Sequence, residues 1–182
     1  SNTLLALRSS VDARAPKIVA QLLREGSAQR RASAVLALGD FQIPEARRLL
    51  RFVLYNDRPQ QAMNAALALA EVGTEQDADA LLRAAEHGGW PLPAAVSFAL
   101  ARIAQRGVFK RHTLAQVLCR LGRNPDAYVR ANVATGLGVL DAPACDRDIS
   151  PEAWLEAGAP SVQRVAAARW AAALTDLEPA EE

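Results

Sequence analysis

The order of proline and glycine constrains this chain more than any other feature. Proline stands at 16, 44, 59, 91, 125, 151 and 160, each time opening an apolar stretch of helical period, where its missing N–H costs nothing. Glycine stands at 26, 39, 73, 88, 107, 122 and 158, each time just after such a stretch. There a residue without Cβ most cheaply takes the left-handed capping conformation. This punctuation predicts helices at about 16–25, 28–38, 44–55, 59–72, 75–87, 91–106, 109–121, 125–140, 150–157 and 160–174. No hairpin or alternating strand pattern competes. Gly136 and Gly138 fall inside the eighth segment and predict either a kink or the close approach of a neighbouring backbone.

Every second segment repeats a pattern: RASAVLALG from Arg31, AMNAALALA from Ala62, AVSFALARI from Ala95, RANVATGLG from Arg130 and RVAAARWAA from Arg164. A helix pair recurring every thirty-odd residues is the signature of an α-solenoid, in which each pair buries its apolar face by stacking on the next. Composition fits that reading. Alanine supplies 39 of 182 residues while aromatics make up 5%, so the core must come from close helix packing rather than from bulk.

The fourth repeat carries a resemblance. Asn124-Pro125-Asp126 precedes Ala127-Tyr128-Val129-Arg130, then Val133-Ala134 and Leu137-Gly138. This resembles a HEAT repeat in its short bacterial, PBS-lyase-type form, with an aspartate in the inter-helix turn and Val-Arg early in the second helix. The arginine recurs at Arg31, Arg130 and Arg164 and is absent at Ala62 and Ala95, while the aspartate matches at Asp126. The resemblance implies an all-α fold, an α-solenoid (right-handed superhelix) of about five stacked antiparallel helix pairs. The repeats would fall at about 16–39, 44–73, 75–107, 109–140 and 150–174 within one domain, 1–182. Residues 1–10 would be the remnant of a preceding helix in a chain that starts Ser1-Asn2-Thr3 without Met. It further implies that second helices line the concave face and that the partner is another protein.

Net charge is +1, but residues 1–58 carry +5, residues 59–123 carry +2 and residues 124–182 carry −6. Unlike ends predict a monomer at physiological salt, with weak head-to-tail self-association at low ionic strength. A net charge of +5 over 58 residues does not make the dense basic stripe of a nucleic-acid binder. The longest stretch without a charged residue, His87 to Ala101, holds two prolines and falls short of the ~20 residues of a membrane span. Cys119 and Cys145 form no CxxC pair and are too few for a disulfide framework, so free thiols in a reducing, cytoplasmic setting are expected. Nineteen of 21 basic residues are arginine, as in a GC-rich bacterial genome.

Chemistry finds little footing. The candidate metal ligands are His87, His112, Cys119 and Cys145. His112 and Cys119 would lie roughly 10 Å apart along one helix, so no metal and no cofactor are expected. There is no G-x-S-x-G motif and no Gly-rich phosphate loop. Asp141, Asp146 and Asp148 read as capping or solvating residues before a helix start, and Trp90 reads as a staple at a helix entry. Arg31, Asp126, Arg130 and Arg164 are read as structural repeat positions.

A column of small polar residues recurs two positions beyond the repeat reference: Ser33, Asn64, Ser97 and Asn132. Arg30, Gln60 and Tyr128 extend it by a turn. These seven residues are the expected protein-binding stripe on the concave face. The function expected is a non-catalytic scaffold or adaptor. The alternative is an enzyme, since similar repeats occur in phycobilin lyases and alkyl-base DNA glycosylases.

Overall fold

The computed structural model describes residues 15–56, 58–107, 111–156 and 159–175. The expected helix remnant at residues 1–10 and the expected cap at Gly158 lie outside the described residues. Among those described, ten helices and no strand are found: α1 (Ala15–Glu25), α2 (Ala28–Leu38), α3 (Pro44–Asn56), α4 (Pro59–Val72), α5 (Glu75–His87), α6 (Leu92–Gln105), α7 (Arg111–Leu121), α8 (Ala127–Val139), α9 (Pro151–Leu155) and α10 (Ser161–Thr175). These match the ten predicted segments, with α9 shorter than expected.

The chain divides into two compact units, Ser1–Ala99 and Leu100–Glu182. In the first unit α1 pairs with α2 and α3 with α4; the second helices α2 and α4 pack on each other, and the first helices α1, α3 and α5 pack in sequence. In the second unit α8 packs on α7 and on α10, and α10 packs on α9. This is all-α packing of the α-solenoid type, in which each pair completes its core on the next. No described helix is long and apolar enough to cross a membrane.

Helix starts follow the proline reading. Pro44, Pro59 and Pro151 are the first residues of α3, α4 and α9. Ser150 Oγ accepts from Ala153 N at 3.1 Å, and Asp126 Oδ1 accepts from Tyr128 N and Val129 N at 2.9 and 3.1 Å, satisfying donors that the helix leaves orphaned. Helix ends differ from expectation. Among the described glycines only Gly107 has a positive φ, 73°. Gly73 and Gly88 instead make the last α-type bond, to Leu69 O at 2.7 Å and Ala84 O at 2.9 Å, and then turn extended. The next N-cap follows within a few residues, so the chain needs an extended exit rather than a left-handed one.

The core is built from leucine and alanine: Leu38, Leu50, Leu69, Leu81, Leu100, Leu118 and Leu137 are fully buried. In the first unit it also contains a carboxylate that pattern reading passed over. Asp77, fully buried, accepts from Thr74 N at 2.8 Å in a capping box, pairs with Arg51, and lies 3.9 Å from Arg47 Nε. Both arginines come from α3, so the pair ties α3 to α5. A buried ion pair contributes little net stability when intact, but breaking it strands a charge.

The cysteine expectation is corrected. Cys119 and Cys145 are joined in a disulfide across 26 residues, and the described residues hold no free cysteine. The two thiols expected free in α7 and in the 141–150 segment meet because that segment folds back beside α7, with Ile149 close to Gly122. Spacing alone could not bring them together. The bond also removes the cysteine-based ground for a reducing compartment.

Leu69→Ala or Leu137→Ala should cost ~2 to 5 kcal/mol in a urea titration. Leu67, at the outward position of α4, is half-buried, and its truncation should cost less than about 1.5 kcal/mol. Asp77→Ala should cost about 3 kcal/mol or more. Replacing Cys119 and Cys145 together by serine should lower stability by about 3.5 kcal/mol through lost loop closure, and dithiothreitol should do the same to the wild-type chain but nothing to the variant.

Candidate functional site

Four of the second helices, α2, α4, α6 and α8, share one burial pattern, two buried residues, one outward residue and two more buried residues. It reads Ala34-Val35, Leu36, Ala37-Leu38 in α2; Ala65-Ala66, Leu67, Ala68-Leu69 in α4; Val96-Ser97, Phe98, Ala99-Leu100 in α6; and Val133-Ala134, Thr135, Gly136-Leu137 in α8. In this register Ser97 stands where Val35 and Ala66 stand, two places off the column assigned to it. It is fully buried and its hydroxyl donates to Ala94 O at 2.9 Å. Asn64 is buried as well and accepts from Gln60 Nε2 at 3.3 Å. Arg30, Ser33, Gln60 and Tyr128 are exposed and Asn132 is half-buried.

The expected polar row is therefore interrupted, and the outward column is more apolar than expected. Leu36 is 49% and Phe98 41% exposed, and Leu67 is half-buried. Small size and polarity could not distinguish a side chain capped by its own helix from one facing water. The repeated leucine at the end of the pattern was the better register mark.

In the second unit, second helices α8 and α10 form a groove of about 370 Å³ lined by Ala131, Asn132, Thr135, Val162, Val165 and Arg169, among others. Val165 is 55% exposed there, and Tyr128 at the start of α8 is 61% exposed. The close-approach alternative for the paired glycines holds. A Cβ on Gly138 would lie 3.2 Å from Trp170 Cα, so the missing side chain brings α10 against α8. Trp170 is fully buried, donates its indole N–H to Ala142 O at 2.8 Å, and meets Trp154 edge-on at 5.9 Å.

The repeat arginines divide. Arg31 Nη1 donates to Gly26 O at 2.9 Å and Arg130 Nε donates to Asn124 O at 2.9 Å. Each reaches back to a carbonyl in the turn that precedes its helix, which is a structural role. Arg164 is exposed. Asp126 serves as the α8 N-cap. Arg130 also lies over Trp154, 6.0 Å from its ring centre, and lines a cleft of about 630 Å³ with Arg147, Asp148, Trp154, Glu156 and Gln163 among its walls.

The acidic loop is tied into the fold. Asp141 pairs with Arg111 at 3.0 Å, Asp146 lies 3.6 Å from Arg123 Nη2, and Asp146 Oδ1 accepts from Asp148 N and Ile149 N. Trp90 is 62% exposed, so it does not staple a helix entry; Leu92 is the residue buried there. A smaller cleft of about 270 Å³ in the first unit is lined by Leu54, Tyr55, Arg83, His87 and Leu92, among others. The Tyr55 hydroxyl beside Arg83 raises that guanidinium above its ordinary pKa, so it stays charged.

His87 and His112 are both exposed, and no group of three or more His, Cys, Asp or Glu among the described residues is placed to hold a metal. Oxidised Cys119 and Cys145 offer no thiolate ligand.

Residues 15–101 match the family of HEAT repeats. No curated protein matches the chain.

Proposed function

We propose, from the premise that residues 15–101 belong to the HEAT-repeat family, that this protein is a non-catalytic scaffold that binds another protein on the outward side of its second helices. The observation that supports the reading most directly is the apolar column. Leu36 and Phe98 leave roughly half of their surface in water at a repeated position, where polar residues would serve solubility better. An apolar position repeated from helix to helix suits an extended partner segment laid across successive repeats. The charge difference along the sequence supports a monomer at physiological salt with weak association at low salt.

The disulfide bears on location. Such bonds persist in oxidising compartments, so we place the protein in one, in preference to the cytoplasm expected from its cysteine count. Thiol titration of protein isolated under alkylating conditions should find no free thiol; two free thiols would restore the cytoplasmic placement.

A photo-crosslinking amino acid at position 36 or 98 should capture one protein of the native source, while the same group at Phe52, exposed on first-layer helix α3, should not. Leu36→Glu and Phe98→Glu should change stability by less than ~0.5 kcal/mol and abolish that capture. Equal capture from position 52 would overturn the assignment of the binding face.

A further inference from the structure

The cleft around Arg130 has features that neither the repeat nor the scaffold reading uses. The Arg130 guanidinium has two contacts: Nε is bonded to Asn124 O, and Cζ lies over the Trp154 ring, 6.0 Å from its centre. Neither Arg130 nor Arg147 forms an ion pair with any described residue, although Asp148 and Glu156 line the same cleft. The Nη atoms of Arg130 have no hydrogen-bond partner among the described residues. Gln163, on α10, is 4% exposed, and its amide likewise has none. The one buried side-chain nitrogen or oxygen without a partner among the described residues is Gln61 Oε1. The unused groups of Arg130 and Gln163 therefore reach solvent, and both residues line this cleft.

The Arg130 fork and the Gln163 amide both line this cleft, and both keep hydrogen-bonding groups that no described residue uses. A ligand that brings two acceptor oxygens to the fork and a peptide group to the amide would complete both. Two arginines and two carboxylates leave the cleft close to neutral, which suits a single negative charge better than a phosphate dianion. The wall carrying Arg147 and Asp148 is held in place by the Cys119–Cys145 bond and by the Asp146 turn, so the cleft is formed in advance of binding.

We propose that this cleft binds a carboxylate carried on a peptide, an acidic side chain or a chain terminus, through the Arg130 fork, with the Gln163 amide engaging the adjacent peptide bond and Arg147 at the mouth. The proposal rests on the protein-binding reading and names a chemical determinant of the partner.

The test is a titration of the full ¹⁵N-labelled chain, reading the Arg130 Nε–H, Gln163 amide and Trp154 indole resonances. The probes are acetyl-Ala-Glu-Ala-amide, acetyl-Ala-Ala-Ala with a free terminus, acetyl-Ala-Gln-Ala-amide and inorganic phosphate. Saturable shifts with either or both of the first two, and none with the glutamine peptide, are expected; which of the two binds tells a side chain from a terminus. Arg130→Lys should weaken binding about tenfold or more. Arg147→Gln, at an exposed position where folding is not at stake, should weaken it by a smaller factor. Absence of saturation with both carboxylate probes, equal shifts with the glutamine peptide, tighter binding of phosphate, or an Arg130→Lys variant that binds as well as wild type would each overturn the proposal. Any of these with capture at positions 36 and 98 intact would leave the scaffold reading standing. Loss of that capture with peptide binding intact would remove the scaffold face and keep the cleft.

Discussion

Second helices approach one another until the backbone of one meets a residue with almost no side chain on the next. A Cβ on Gly39 would lie 3.2 Å from Ala68 Cα, and one on Gly138 equally close to Trp170 Cα. In a chain with few aromatics, this approach goes with full burial of the leucines at the end of each burial pattern, Leu38, Leu69, Leu100 and Leu137. The remaining features are arranged around it. The α2–α4 and α8–α10 contacts fix which side of each second helix is outward, and hence where Leu36, Leu67 and Thr135 point. Bulk placed at the close contacts would separate the layers and open the core on both sides.

Helix packing at short range leaves the turns little room, and their polar groups are satisfied by side chains acting locally. Arg31 and Arg130 perform the same task in different units, donating to a carbonyl of the preceding turn. Asp126, Thr74 with Asp77, and Ser150 supply acceptors or reciprocal bonds at helix starts. Where one of these side chains also reaches another helix, as Asp77 does toward α3, the cap becomes a tie between first helices. Where it keeps unused donors, as Arg130 does, it becomes a recognition element at no additional cost in order.

Helix positions were legible because proline, glycine and the apolar period agree along the whole chain. Registry was less so. The polar column placed Ser97 and Asn64 in water, yet a hydroxyl bonded to its own helix at Ala94 O is at ease in the core, and an asparagine one turn from Gln60 finds a partner nearby. Residue type reports what a side chain can bond, not which side of the helix the neighbouring pair covers. The disulfide was illegible for a related reason, since Cys119 and Cys145 meet through the return of an irregular segment that carries no periodic signal. Asp77 did have a signal, the Thr-x-x-Asp spacing of a capping box before an apolar run. Gln163 had none, because its burial depends on how α10 sits beside α9.

The two units present different surfaces, and the difference follows from what fills the outward column in each. In the first unit it is leucine and phenylalanine, so recognition there would be by contact area, broad in specificity and insensitive to salt. In the second it is Thr135, flanked by valines on α10, and the distinctive chemistry lies instead in the cleft that Trp154, Arg130 and Gln163 build. Area-driven contact alone discriminates poorly between partners of similar hydropathy, whereas a preformed fork leaves a costly unpaired group whenever the wrong side chain is offered. On the reading proposed above, a scaffold with both would take affinity from one unit and selectivity from the other. Its specificity should then reside in Arg130, a residue whose first duty, the bond to Asn124 O, is to hold its own repeat together.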